Sequence, residues 1–153
     1  MLLSQQVKFV NALPPIELNA AGGGDCDYVS LENYGHLTIV IQQGVVGAAS
    51  TATVQTHTTN SGAGTAVGFS YRAETTAAGD TLDDLTAVES TGIAMGTTNN
   101  TMYIIEIDAA TLAEGSPWVR AQLSDPAGDS FGSVLYILSK PRYAGNTMPT
   151  AIA

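Results

Sequence analysis

The sequence predicts an all-β domain: an antiparallel β-sandwich, jelly-roll-like, with eight or nine strands and extended N- and C-terminal arms. Three observations carry that prediction. Apolar residues recur with period two, turn-rich linkers separate the alternating stretches, and charge is too scarce to coat long helices. Charged residues make up 12% of the 153-residue chain and hydrophobic residues 44%. Amphipathic helices need Glu, Lys and Arg on their outer stripe, whereas this chain is rich in Ala, Thr, Gly and Ser.

The elements follow in order. "VKFVNA" near the start and "DYVSL" around residue 29 are short strand signals. In "HLTIVIQ", Leu37, Ile39 and Ile41 share one face and His36, Thr38, Val40 and Gln42 the other, the alternation of a half-buried strand. "TATVQTH" sets Ala52, Val54 and Thr56 against Thr51, Thr53, Gln55 and His57. "AVGFSYRAE" reads as one strand with Val67, Phe69, Tyr71 and Ala73 inside. "LTAV" near residue 86 is a further short signal, and "TMYIIEID" lines up Tyr103, Ile105 and Ile107. "WVRAQLS" places Val119, Ala121 and Leu123 opposite Trp118, Arg120 and Gln122. "FGSVLYILSK" is apolar on both faces, as a central strand covered on both sides would be. Linkers such as "AAGGGD", "TTNSGAG" and "SDPAGDS" carry the turn residues. One helical turn is expected, in "DAATLAEG", capped by Asp108 and ended by Gly115. The chain therefore divides into an N-terminal arm with the first edge strand (1–26), the sandwich (27–141) and an extended C-terminal tail (142–153).

Charge narrows the partners. Five Lys and Arg stand against fourteen Asp and Glu, a net charge of -9. Nucleic acids are bound by basic residues that release counterions, and the five here are scattered, so nucleic acid is not an expected partner. Anionic membrane surfaces are disfavoured for the same reason, and no apolar run approaches the about eighteen residues of a spanning helix. "MLLSQQVKFVNALPP" lacks the basic start and apolar stretch of a signal peptide. Cys26 stands alone between Asp25 and Asp27, so no intrachain disulfide is expected, and acidic neighbours raise a thiol pKa. A small buried residue in a chain made in a reducing cytoplasm fits these facts.

No motif assembles a reaction, and no catalytic, cofactor-binding or metal-binding residue is assigned. His36 and His57 lack further ligands at metal-site spacing. "GDTLDD" does not alternate its acids as a calcium loop does. Gly22-Gly23-Gly24 lacks the context of a phosphate cradle. No G-x-S-x-G elbow marks a nucleophile. Glu106 and Asp108, on one strand face, are the nearest candidates for paired glycosidase carboxylates, but a solvated strand face is the better account of them. The informative residues are apolar ones in polar places. Trp118 shares a face with Arg120 and Gln122, and Trp and Arg are enriched at interface hot spots. Arg142 and Tyr143 form a similar pair in the tail.

The segments "SLENYGHLTIVIQQG", "MYIIEIDAATLAEG" and "VLYILSKPRYAGNTMPTAIA", in their order and spacing, resemble small proteins encoded beside the major capsid protein of tailed bacteriophages. The resemblance runs from Tyr28 onward, and the first 25 residues have no counterpart in it. It implies a capsid decoration (cement) protein on the outer shell, bridging subunits of the major capsid protein. An acidic chain made in the host cytoplasm suits that place. Its expected state is a homo-oligomer, a dimer or trimer. The tail is then an arm, mobile in the free protein and ordered on the shell, anchored by Tyr143, Met148 and Ile152 with Arg142 pairing to an acidic neighbour. The contrasting expectation is a tail folded back over its own sheet edge. The rival function is a carbohydrate-binding or receptor-facing module of a phage fibre; a small β-sandwich hydrolase is a third possibility without an assembled motif.

Overall fold

A computed structural model describes residues 2–143 and 148–152. Its first six strands are β1 (Lys8–Glu17), β2 (Gly24–Asp25), β3 (Val29–Ser30), β4 (Tyr34–Val46), β5 (Thr51–His57) and β6 (Thr65–Val67). There follow β7 (Phe69–Glu74), β8 (Thr86–Val88), β9 (Ile93–Ala94), β10 (Met102–Asp108), β11 (Trp118–Leu123) and β12 (Ser130–Pro141). Sheet A runs in the order β1-β12-β4-β10-β7-β8 and sheet B in the order β2-β11-β5-β6, with β3 also on β11 and β9 also on β5.

The pairings nest. With β7 to β9 set aside as an insertion, the first strand pairs with the last (β1 with β12) and the second with the seventh (β2 and β3 with β11). The third pairs with the sixth (β4 with β10) and the fourth with the fifth (β5 with β6). Successive pairs alternate between the sheets, as when one long hairpin is wound round a core. This is a jelly roll, an antiparallel sandwich as the alternation predicts.

The inward residues of each strand meet in one core. Leu37, Ile39 and Ile41 of β4, Ile105 of β10 and Tyr136 and Leu138 of β12 are fully buried. Ala52, Val54, Val119, Ala121 and Leu123 face them from sheet B in the same cluster. Each fully buried aliphatic side chain contributes about 1.5–3 kcal/mol relative to exposure.

Four local features differ from the sequence reading. There are twelve strands instead of eight or nine, because β2 and β9 are two-residue pairings with no alternation to mark them and one predicted strand divides in two. "AVGFSYRAE" is two strands: β6 joins sheet B and β7 joins sheet A. The chain changes sheets at Gly68, where a Cβ would lie 2.9 Å from the Val88 carbonyl oxygen. A short helix, α1 (Leu18–Ala21), was not anticipated; the Glu17 carboxylate accepts the Ala20 N–H (3.0 Å) and Gly22, at φ 75°, ends it. Finally, β12 lies one strand from the edge of sheet A, and only its inner face is fully covered.

The ends of the chain belong to the sandwich. β1 is an edge strand whose register shifts on either side of Leu13, just ahead of and across Pro14 and Pro15; proline is tolerated at edges and bulges. The described end of the tail, 148–152, folds back. Ser30 N–H donates to the Ala151 carbonyl (2.8 Å) and the Tyr34 hydroxyl to the Pro149 carbonyl. Met148 and Ala151 enter the core cluster. A free arm is therefore not what these residues form: two apolar side chains and two hydrogen bonds offset the entropy of ordering them. The tail positions 144–147 lie outside the described residues.

Candidate interaction surface

The sandwich has two outer faces, and the outward residue of every second position builds them. On sheet B, β11 contributes Trp118, Arg120 and Gln122, and β5 contributes Gln55 and His57 beside them. Gln122 Nε2 donates to Asp25 Oδ1 (2.6 Å) and Gln55 Nε2 to Gln122 Oε1 (2.6 Å). Arg120 Nε donates to Gln55 Oε1 (3.0 Å), and its guanidinium lies 4.8 Å from the centre of the Tyr28 ring and 3.9 Å from Asp25. Tyr28 tilts against His57 and donates its hydroxyl to the Gly62 carbonyl (3.2 Å). His57 Nδ1 accepts the Thr59 N–H (3.0 Å). The result is a continuous polar network satisfied from within the chain.

The outer face of sheet A is different. Cross-strand register lines up two rows: Phe9, Ile137, Thr38, Glu106 and Ser70, then Asn11, Leu135, Val40, Ile104 and Arg72. Phe9 is 42% exposed and Leu135 37%, and Ile137, Val40 and Ile104 are half-buried. Apolar side chains thus run across four strands of this face, interleaved with Asn11, Thr38 and Glu106. At one end it deepens into a hollow of about 440 Å³ between Pro15, Phe131, Met102 and Ala78, with Gln42 and Ser133 on the floor. Phe131 is 47% exposed there.

The charged groups of this face are few. His36 Nε2 and Thr38 Oγ1 (2.9 Å) both meet Glu106 Oε2, and Arg72 Nη1 donates to the Asp83 carbonyl (2.9 Å). Asp108 caps the following turn by accepting the Ala110 N–H (2.9 Å). Glu106 and Asp108, the carboxylate pair on one strand face, thus each hold a structural partner. No group of three His, Cys, Asp or Glu that could hold a metal is found among the described residues.

Cys26 is buried at 3% exposure. Burial pushes its thiol pKa up to about 12; Tyr136 opposes that shift, while Asp27 and Asp25 add to it. The Tyr136 hydroxyl, wholly enclosed, is raised well above the ordinary tyrosine value by desolvation, and its oxygen accepts the Ala121 N–H (2.7 Å). Both groups are core fillers in this geometry.

The predicted contact residues separate into two sets. Trp118 stands half-buried on the sheet B face, and Arg120 is committed to Gln55, Tyr28 and Asp25 of its own chain. Met148 is 8% exposed inside the core, which removes it from the candidate anchors. Tyr143 (72%) and Ile152 (53%) are exposed. Arg142 is exposed at the rim of a second hollow of about 450 Å³, with Leu31, Glu32, Leu112, Glu114 and Pro117. The larger surface, on sheet A, was missed. Its signal lies in "VLYILSK", whose apolar outward positions are Leu135 and Ile137, a pattern that equally fits a central strand covered on both sides.

No protein-family model matches the chain, and no curated protein does. Among solved structures it is similar to a chain in the structure of infectious bursal disease virus Gx strain, with 18% identity and a TM-score of 0.38. The likeness covers 95% of this chain and 34% of that one. A chain of the Gt strain structure shows 15% identity and a TM-score of 0.21, over 97% of this chain and 44% of that one. This chain thus spans less than half the length of either. At those TM-scores the likeness assigns nothing, and the jelly roll stands on the strand pairings alone.

Proposed function

We propose that this chain is a structural virion protein that binds the outer surface of a phage capsid and stabilises it by bridging major capsid protein subunits. One observation carries the reading: among the described residues sheet A keeps an outer face with exposed apolar side chains, so the chain acts by assembling with other subunits. Contiguous exposed apolar surface marks interaction sites on soluble proteins. The sequence resemblance from Tyr28 onward supplies the kind of assembly, and the acidic charge suits the outside of a DNA-filled shell. Catalysis has no part in this reading. Cryo-electron microscopy of particles with and without the chain tests it: density bridging capsid subunits supports it, and a shell identical in both preparations overturns it.

A second reading, a carbohydrate-binding or receptor-facing module, has one observation in its favour. Trp118, Tyr28 and His57 stand beside amide and carboxylate groups on the sheet B face. The donors and acceptors there are already engaged with one another, which favours the capsid reading. Titration with a panel of oligosaccharides, read on the Trp118 indole resonance, separates them: glycan-dependent shifts support the second reading.

A further inference from the structure

The outer face of sheet A is self-complementary, and we infer that two copies of this chain pair through it about a two-fold axis perpendicular to the strands. The inference rests on the structural-virion reading only in supposing that the face is meant to be covered. It concerns a different partner: the occupant of this face is a second copy.

Charge comes first. Two copies at -9 each repel one another over most of their surfaces. The two outward rows, however, contain one carboxylate, Glu106, and one guanidinium, Arg72, with Asp108 one row beyond, so the rows themselves add no net charge to the contact. The two charges sit in different rows. Glu106 belongs with Phe9, Ile137, Thr38 and Ser70, whereas Arg72 belongs with Asn11, Leu135, Val40 and Ile104.

A two-fold axis lying between the rows exchanges them. It sets Ile137 on Leu135 of the other copy, Thr38 on its Val40 and Phe9 on its Asn11, and brings Glu106, which lies over its Ile104, one strand from its Arg72, each contact occurring twice. An axis along the strands at β4 would instead set Ile137 over Glu106 and Asn11 over Arg72, leaving the two charges three strands apart. Arg72 has donors to give, since a guanidinium offers five and one hydrogen bond, to the Asp83 carbonyl, is formed. Glu106 is on the exposed side of its strand.

Size is sufficient. Five strands about 4.8 Å apart, each about seven residues at about 3.4 Å, cover roughly 24 Å by 24 Å. A pair then buries on the order of 1,200 Å², the size at which specific interfaces begin. Two sheets so stacked lie about 10 Å apart, as in any aligned sandwich. A two-fold pair also presents every shell-binding group twice, which is what bridging two like subunits requires.

The test is the mass of the free protein by sedimentation equilibrium from low to about 100 μM. A dimer is expected. Leu135→Glu should weaken it at least about thirtyfold, the effect of a central hot spot, while its circular dichroism and melting temperature stay near wild type. Glu106→Arg and Arg72→Glu should each weaken it about tenfold, and the double exchange E106R/R72E should restore it, because each copy's altered charge again meets its opposite. A monomer at every concentration, a dimer unmoved by Leu135→Glu, or no restoration by the double exchange overturns the inference. Occupancy of shells is measured separately on particles. A monomer that still binds shells defeats the pairing and leaves the virion reading standing; a dimer that binds no shell does the reverse.

Discussion

Sheet B is finished by its own chain and sheet A is not. On sheet B the outward side chains bond to one another from Asp25 through Gln122 and Gln55 to Arg120, and the tail closes the β3 edge where Ser30 meets Ala151. On sheet A the outward positions of β1, β12, β4 and β10 include Phe9, Leu135, Ile137, Val40 and Ile104. The same alternation built both sheets, so the difference lies only in what fills the outward positions. A strand's inward residues serve the fold, and its outward residues show what the fold is for.

The largest test of that contrast is removal of residues 148–153. Met148 and Ala151 are core residues and Ala151 holds the β3 edge, so the free protein should lose about 2–5 kcal/mol, the range of a large core truncation. Urea denaturation of the isolated chain measures it. Unchanged stability would return the tail to the role of an arm.

Next in size is Arg120→Ala. It leaves Gln55 Oε1 without its donor and uncovers the Tyr28 ring, and should cost about 1–3 kcal/mol, the range for losing a partner to a charged hydrogen-bonding group. A loss indistinguishable from zero would mean that the network on sheet B is decorative, and the contrast between the faces would weaken.

An alkaline titration probes the core between the faces. The Cys26 thiol is held at about 12 against an ordinary 9.0, and Tyr136 is also raised. Both are acids whose folded pKa exceeds the unfolded one, so the stability they confer is complete below about pH 9 and is lost as pH rises toward 12. Thermal melts from pH 8 to 11 should fall in midpoint, and Cys26→Ala should flatten part of that fall. A thiol reagent at pH 8 should modify native Cys26 far more slowly than the unfolded chain.

Much of this was legible from residues alone. β5 is bounded as "TATVQTH" indicates, and the inward sets of β4, β10 and β11 are those that alternation selects. What was not legible depended on a second chain segment. β2 and β9 exist only because β11 and β5 offer them an edge. The break at Gly68 is set by the approach of Val88, and alternation continues unbroken through it. The polar network on sheet B joins residues up to 97 positions apart. Trp118 and Arg120 were correctly placed on an outward face, but Arg120's partners within the chain could not be seen from β11 alone.

The smallest expected effect is the most discriminating. Leu135→Thr and Leu138→Ala alter residues three apart on β12, one outward and 37% exposed, the other inward and fully buried. The inward change should cost about 2–5 kcal/mol, because it removes packed methyl groups and leaves a cavity. The outward change should lie within about 0.5 kcal/mol of zero, as surface substitutions do, since threonine is β-branched and favours strands, and it gives water a hydroxyl in place of an isobutyl group. In the free monomer at low concentration the two measurements should differ accordingly. If Leu135→Thr instead destabilises the dilute chain by more than about 1 kcal/mol, something within the chain does cover that face, and sheet A is as complete as sheet B. If it leaves the dilute chain unchanged while weakening the concentrated one, the side chain is idle in the fold and active in the contact, which is the distinction between the two faces reduced to a single residue.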